Sequence, residues 1–207
     1  MTTNLFQMNY IKSYYHITNE EMICDGNIIL QRNPDENNAD FLKEIYRKSE
    51  AAYPKFFKMD LLCKSAFLAA EFISKKENLL ETNTALILSN RSSSMASDKK
   101  HAQAIYDAEA TASPAVFVYT LPNIALGEIS IRHQLFSENL FLIFDKFSPE
   151  TLVSYTEQML NENKAEKVLA GWVEADENNL DVFIYLIEKE GHTKHTIENV
   201  KHLYNRK

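Results

Sequence analysis

Short apolar runs set between stretches of helical period constrain this chain most. Residues 84–89 (TALILS), 139–144 (NLFLIF) and 181–187 (DVFIYLI) have the length of buried strands and are too short for buried helices. Residues 10–17 (YIKSYYHI) and 167–173 add two more runs rich in β-branched or aromatic types. Between them lie segments with the spacing of helices. Over 60–74, Leu61, Leu62, Ser65, Ala66, Ala69, Phe72 and Ile73 fall on one broad face. Residues 40–49 and 99–110 also read as helices. Strands that alternate with helices predict an α/β fold with a mixed, five-stranded sheet flanked by helices.

The chain has only 4 Gly and 5 Pro in 207 residues, so each carries positional information. Cys24-Asp25-Gly26-Asn27 is a turn signal before Ile28, Ile29 and Leu30, which predicts a hairpin. Residues 33–40 and the Ser-rich 90–98 are expected loops. Pro122 fits the first turn of a helix running to about Leu135. Gly127 sits inside that helix, where glycine costs roughly 1 kcal/mol against alanine, so close backbone packing is expected there. Ser148-Pro149 reads as an N-cap and first helical position. Leu152, Val153, Thr156, Met159 and Leu160 then give helix 149–161 an apolar stripe. Asn178 and Asn179 mark the turn of an antiparallel pair at the end of the sheet. The segment from about 191 is polar and helical at its end, and residues 1–207 are expected to form one domain.

Composition narrows the partners. Lys plus Arg is 22 and Asp plus Glu is 29, a net charge of −7. That disfavours a general nucleic-acid or anionic-membrane surface. Cys24 and Cys63 have no metal-ligand spacing, which leaves neither a disulfide framework nor a thiolate site. No apolar run approaches the ~20 residues of a membrane span, and MTTNLFQMNY lacks a secretory pattern. A cytoplasmic protein without a cofactor is the expectation.

Several pieces in order carry a resemblance. They are Phe57-Lys58-Met59 leading into an Ala-rich helix, Thr120-Leu121-Pro122-Asn123, Gly127, Ile131-Arg132, Asn139-Leu140, Leu169-Ala170-Gly171 and Glu174. Over residues 55–187 the chain resembles the N-terminal half of the β-ketoacyl synthase (3-oxoacyl-ACP synthase) family. The resemblance implies half of a thiolase-like fold. It also implies that the catalytic histidines of the family's second half have no counterpart here.

The resemblance puts the family's nucleophilic cysteine on Lys146, with Asp145 and Ser148 as its neighbours. A helix N-terminus depresses a thiol pKa and disfavours an ammonium. A charged Lys146 would therefore need Asp145 or a partner's anion. Two outcomes are open: a solvated lysine without chemistry, or a neutral amine acting as a nucleophile. The first is the expectation, because the sequence offers no base and orienting group. Helix 149–161 has a polar second face of Glu150, Ser154, Glu157, Gln158 and Asn161, as on a surface helix rather than one sandwiched by a second half.

By the same resemblance, Asn139, Leu140, Phe141, Leu142, Ile143 and Phe144 form a sheet edge that pairs with a mate. The implied partners are a second copy or a ketosynthase, with an acyl carrier protein as a further one. Three functions stay open: a non-catalytic ketosynthase-like subunit assisting fatty-acid, polyketide or polyene-type biosynthesis, an acyl-transfer enzyme rebuilt around Lys146, and an interaction module unrelated to acyl chemistry.

Other candidates have plainer readings. His192, His195 and His202 read as a solvated tail rather than a metal site. Ser92, Ser93 and Ser94 read as a flexible loop, and His133 as a helix-surface residue. Tyr14, Tyr15 and His16 read as sheet surface, and Trp172 as core.

Overall fold

The computed structural model describes residues 8–77, 79, 83–107 and 113–206. Residues 1–7, where no leader pattern was read, and the end of the expected helix 99–110 lie outside the described residues.

Three strands open the chain as a meander: β1 (Tyr10–Thr18), β2 (Glu21–Cys24) and β3 (Asn27–Gln31). The β2–β3 turn has positive φ at both central residues, 46° at Asp25 and 83° at Gly26, as a two-residue hairpin requires. The Asp25 carboxylate accepts from the Tyr14 N–H at 2.7 Å and from Lys76 at 2.5 Å, which fixes the turn against β1 and the next layer. After α1 (Asn38–Ser49) and a 3₁₀ turn (Pro54–Lys58) comes α2 (Leu61–Glu77). There follow β4 (Thr84–Asn90), α3 (Met95–Tyr106), α4 (Pro114–Val118), α5 (Ile124–His133), β5 (Asn139–Ile143) and α6 (Pro149–Asn161). The chain continues through β6 (Lys167–Ala175), β7 (Leu180–Glu188), a two-residue β8 (Thr193–Lys194) and α7 (Ile197–Asn205).

The sheet has eight strands rather than the five expected, in the order β3-β2-β1-β7-β6-β4-β5, with β8 on β1. β4 pairs in parallel with β5 and β6, while β6–β7 and β7–β1 are antiparallel. The α/β class and the mixed sheet are as expected. The additional strands are short and β3 is largely exposed, so they carry little of the apolar pattern that marks a strand in sequence.

Helices cover both faces. On one, α1, α2 and α5 enclose a core around Phe41, Phe67, Leu68, Leu88 and Ile184. α2 is buried on more than the predicted face, with Phe67, Leu68 and Ala70 fully covered, because α1, α5 and the sheet all pack on it. On the other, α6 and α7 close a second core around Leu152, Val168, Phe183 and Tyr185. Among the described residues no helix is long and apolar enough to cross a membrane.

The glycine expectation is corrected. A Cβ placed on Gly127 would meet nothing within 4 Å. The close approach is at Gly171 in β6, where a Cβ would run into the backbone of Phe183 and Ile184 on β7. The predicted helix from Pro122 begins at Ile124, and a separate turn of helix, α4, precedes it.

Candidate functional site

The parallel strands β4, β5 and β6 all end at the same end of the sheet, where the connection from β5 to α6 carries Lys146. β5 leads through Phe144, Asp145, Lys146 and Phe147 into α6. Ser148 stands at the N-cap position with Pro149 as the first helical residue. The Ser148 hydroxyl bonds the Thr151 hydroxyl at 3.0 Å rather than a backbone N–H. Asp145 and Lys146 are exposed. Among the described residues neither makes a hydrogen bond or ion pair. The carboxylate within electrostatic reach of Lys146 is Glu150, in the first turn of α6. Its carboxyl is held below the usual range chiefly by the hydrogen bond from Lys201.

Behind Lys146 the site is closed by rings. Phe147 packs on Tyr204 of α7 with centroids 4.2 Å apart, and meets Trp172 and Phe183 edge-on. Tyr204 stacks on His16 and donates from its hydroxyl to Asp181, whose other oxygen lies 3.0 Å from His16 Nε2. Beside these, Glu174 at the end of β6 accepts from the backbone N–H groups of Arg91 (2.8 Å) and Ser92 (3.2 Å). The Asn90 side chain brackets Ser93, and Ser94 donates to the Thr120 carbonyl. The Ser92–Ser94 loop is therefore tied down at both ends and not free, contrary to expectation.

Other expectations are also corrected. Tyr14, Tyr15 and His16 are buried, because β1 is interior to the sheet and covered on both faces. His195 is buried, with Nδ1 2.7 Å from Glu157, which also accepts from Asn9. Glu157 is thus no part of a wet face, whereas Glu150, Ser154, Gln158 and Asn161 are exposed, as are His192 and His202. His133 is buried at the end of α5, beside the Glu71–Arg132 pair. Trp172 is in the core, as expected. Among the described residues no group of three or more His, Cys, Asp or Glu could hold a metal ion.

β5 forms one edge of the sheet and β3 the other. The Phe144 N–H donates to the Asn90 carbonyl, and the Glu138 carbonyl accepts from the Leu86 N–H. Alternation along the strand therefore turns the N–H and C=O groups of Asn139, Phe141 and Ile143 outward. Phe141 packs on the α2-side core, and Leu140 and Leu142 on the α6-side core. Ile143 remains 50% exposed. Among the described residues, apolar exposure continues in the helix and connection that lead into β5, with Ile131 of α5 at 65% and Phe136 at 94%.

Several lysines gather at the N-terminal end of α2, in spite of the acidic net charge. Lys43 of α1 and Lys100 of α3 each repel the Lys64 ammonium. Burial first, and then these two neighbours, lower the Lys64 pKa against the opposing pull of Asp60. The Ser97 hydroxyl on the Asp60 carboxylate holds α3 against this end. Lys58 and Lys99 add exposed charge nearby. The local sequence could not show this surface, since its lysines come from four separate elements. The same holds for the His16–Asp181 contact, which joins residues 165 apart.

No protein-family model and no curated protein sequence matches the chain. Solved structures do. The ishigamide ketosynthase/chain length factor superposes with a TM-score of 0.62 at 15% identity, covering 87% of this chain. A ketosynthase (ApeO) in complex with its chain length factor (ApeC) from Xenorhabdus doucetiae gives 0.62 at 10% identity over 95% of this chain. A type II polyketide acyl-carrier protein in complex with its ketosynthase (AntDE:AntF) gives 0.62 at 11% identity over 88%. The chain spans 62% of the matched chain's length in the first and third, and 90% in the second. At these identities the likeness is one of fold: the chain has the ketosynthase-like half of a thiolase-like fold.

Proposed function

We propose that this protein is a non-catalytic ketosynthase-like subunit that pairs with a ketosynthase in polyketide-type biosynthesis. The open edge of β5 carries this reading. It offers three outward peptide groups, an exposed Ile143 and adjoining apolar side chains, in a fold shared with proteins solved as ketosynthase–chain length factor pairs. An unpaired edge of this kind is a template for another strand. Ile143→Pro removes an outward N–H and no bond to β4, so the fold should persist. Binding to a co-expressed ketosynthase should weaken at least about tenfold, read by light scattering and titration calorimetry. Undiminished affinity would remove β5 from the interface.

The non-catalytic part of the reading is supported by Lys146, an exposed amine without a bonded base at the position where the resemblance places a thiol. Incubation with acyl-loaded carrier protein should leave the chain unmodified by intact mass. Stable acylation on Lys146 would establish the enzyme reading instead.

The basic surface around Lys64 suits an acidic carrier protein. Reversing Lys58 and Lys100 to Glu should weaken carrier-protein binding about tenfold or more. Wild-type binding should fade with salt as the Debye length falls from about 10 to about 3 Å. Binding indifferent to both changes would place the carrier protein elsewhere.

A further inference from the structure

We propose that residues 191–206 form a strap, in cis, that closes the α6 face of the sheet and opens from it as a unit ahead of the rest of the fold. The two faces are covered unequally. α1, α2 and α5 serve one, whereas α6 on the other packs mainly against β4 and β6, and β1 and β7 are covered by Phe147 and the strap. Those two strands present Ile11, Tyr14, Phe183, Tyr185 and Ile187 to this face, all 5% exposed or less. Without the strap they would form a contiguous apolar surface of the kind that soluble proteins do not leave bare.

The strap starts at Gly191, where a Cβ would lie 2.8 Å from the Tyr10 Cβ and 2.7 Å from the Ile11 carbonyl oxygen, so the chain hugs β1. β8 then pairs with β1, and the Thr196 hydroxyl caps α7 by accepting from the Asn199 N–H. Only Val200 and Leu203 of α7 are buried, at the i, i+3 spacing of one narrow stripe. A nine-residue helix has no stability of its own, so contacts to the body must hold it. Two polar latches do so at its ends: His195 on Glu157, and Tyr204 on Asp181. A short helix with only two buried apolar side chains of its own, held at its ends by two hydrogen-bonded pairs, is the kind of segment that opens before the whole fold does. Because the Tyr204 ring packs against Phe147, the strap's position is linked to the loop that carries Lys146. The strap stands on these contacts alone and is independent of the ketosynthase reading.

Native-state hydrogen exchange on the full chain tests it. Amides of 197–205 should exchange faster than those of β6 and β7. Tyr204→Phe and Glu157→Gln should each speed that exchange about tenfold, the loss of one hydrogen bond to a carboxylate, with β6 and β7 unchanged. The sole tryptophan, Trp172, touches Phe147, so its emission should shift to the red in both variants. Exchange of α7 in step with β6 and β7 in all three proteins would show an inseparable part of the core and overturn the strap.

Discussion

Gly171→Ala is expected to remove a large part of the protein's stability and Gly171→Val to prevent soluble expression. An alanine Cβ would stand 2.9 Å from the Ile184 Cα and closer still to the Phe183 carbonyl oxygen. These are backbone atoms of the neighbouring strand, in the most buried part of the sheet, and no rotamer change relieves the clash. β6 and β7 would have to separate. That would strain the ladder from Val168 to Ala175 and the buried Ser89 hydroxyl on the Gly171 carbonyl. Overpacking a well-filled core costs about 1–3 kcal/mol, and a backbone clash sits at or above the top of that range. Against a total of about 5–15 kcal/mol the shift in urea midpoint should be unmistakable. Gly127→Ala is the companion experiment. It lies in α5 with open space around the added methyl, so it should raise the stability by roughly 0.5–1 kcal/mol and the midpoint with it. If Gly171→Ala left the midpoint unchanged, β6 and β7 would not be packed as described.

The second large effect is a loss of stability in mild acid. Burial drives the His133 pKa from 6.5 down to about 4. Arg132 pushes in the same direction, and Glu71, with its carboxylate 3.5 Å from Nε2, opposes both. The unfolded chain takes up this proton near pH 6.5 and the folded chain not until about pH 4. Between those values the unfolded state holds more protons, and stability falls as pH falls. A shift of this size corresponds to on the order of 3 kcal/mol across the window. Glu71 adds to the loss at lower pH. Burial alone would raise its carboxyl, but the hydrogen bonds and charge of Arg132 outweigh it and hold the pKa below the usual value. His133→Gln should flatten the stability profile between about pH 6.5 and about pH 4 by roughly 2–3 kcal/mol. Urea unfolding across that range checks it. A variant as acid-sensitive as the wild type would assign the effect to other groups.

Both predictions turn on long-range packing, and they mark how far the sequence could be read. The runs at 84–89 and 139–144, the Ser148-Pro149 start of α6 and the Asn178-Asn179 turn appear in the structure almost where the pattern put them. Each is a local matter: backbone geometry repeats every 2 or 3.6 residues, and side chains of matching period reveal the buried face. The hairpin turn at Asp25-Gly26 was legible for the same reason. The intervening β2 was not, because four residues hold too few alternations to signal a strand.

The resemblance pointed to Lys146 through the order of motifs around it. What surrounds it was decided by sheet order. β1 pairs with β7 across most of the chain's length, which buries His16 beside Asp181 and brings Tyr204 onto Phe147. His195 looked like a solvated tail residue because nothing within its own segment covers it; Glu157, on another helix, does. Gly127 and Gly171 looked alike as isolated glycines within regular elements. Only the neighbouring strand distinguishes them, since a glycine's necessity depends on what stands where its side chain would be. The sequence by itself thus determined the alternation of strands and helices and the class of fold. The tertiary structure alone decided which strands form the edges of the sheet, which polar groups are buried in pairs and where the lysines gather, because those properties depend on distances between residues far apart in the chain.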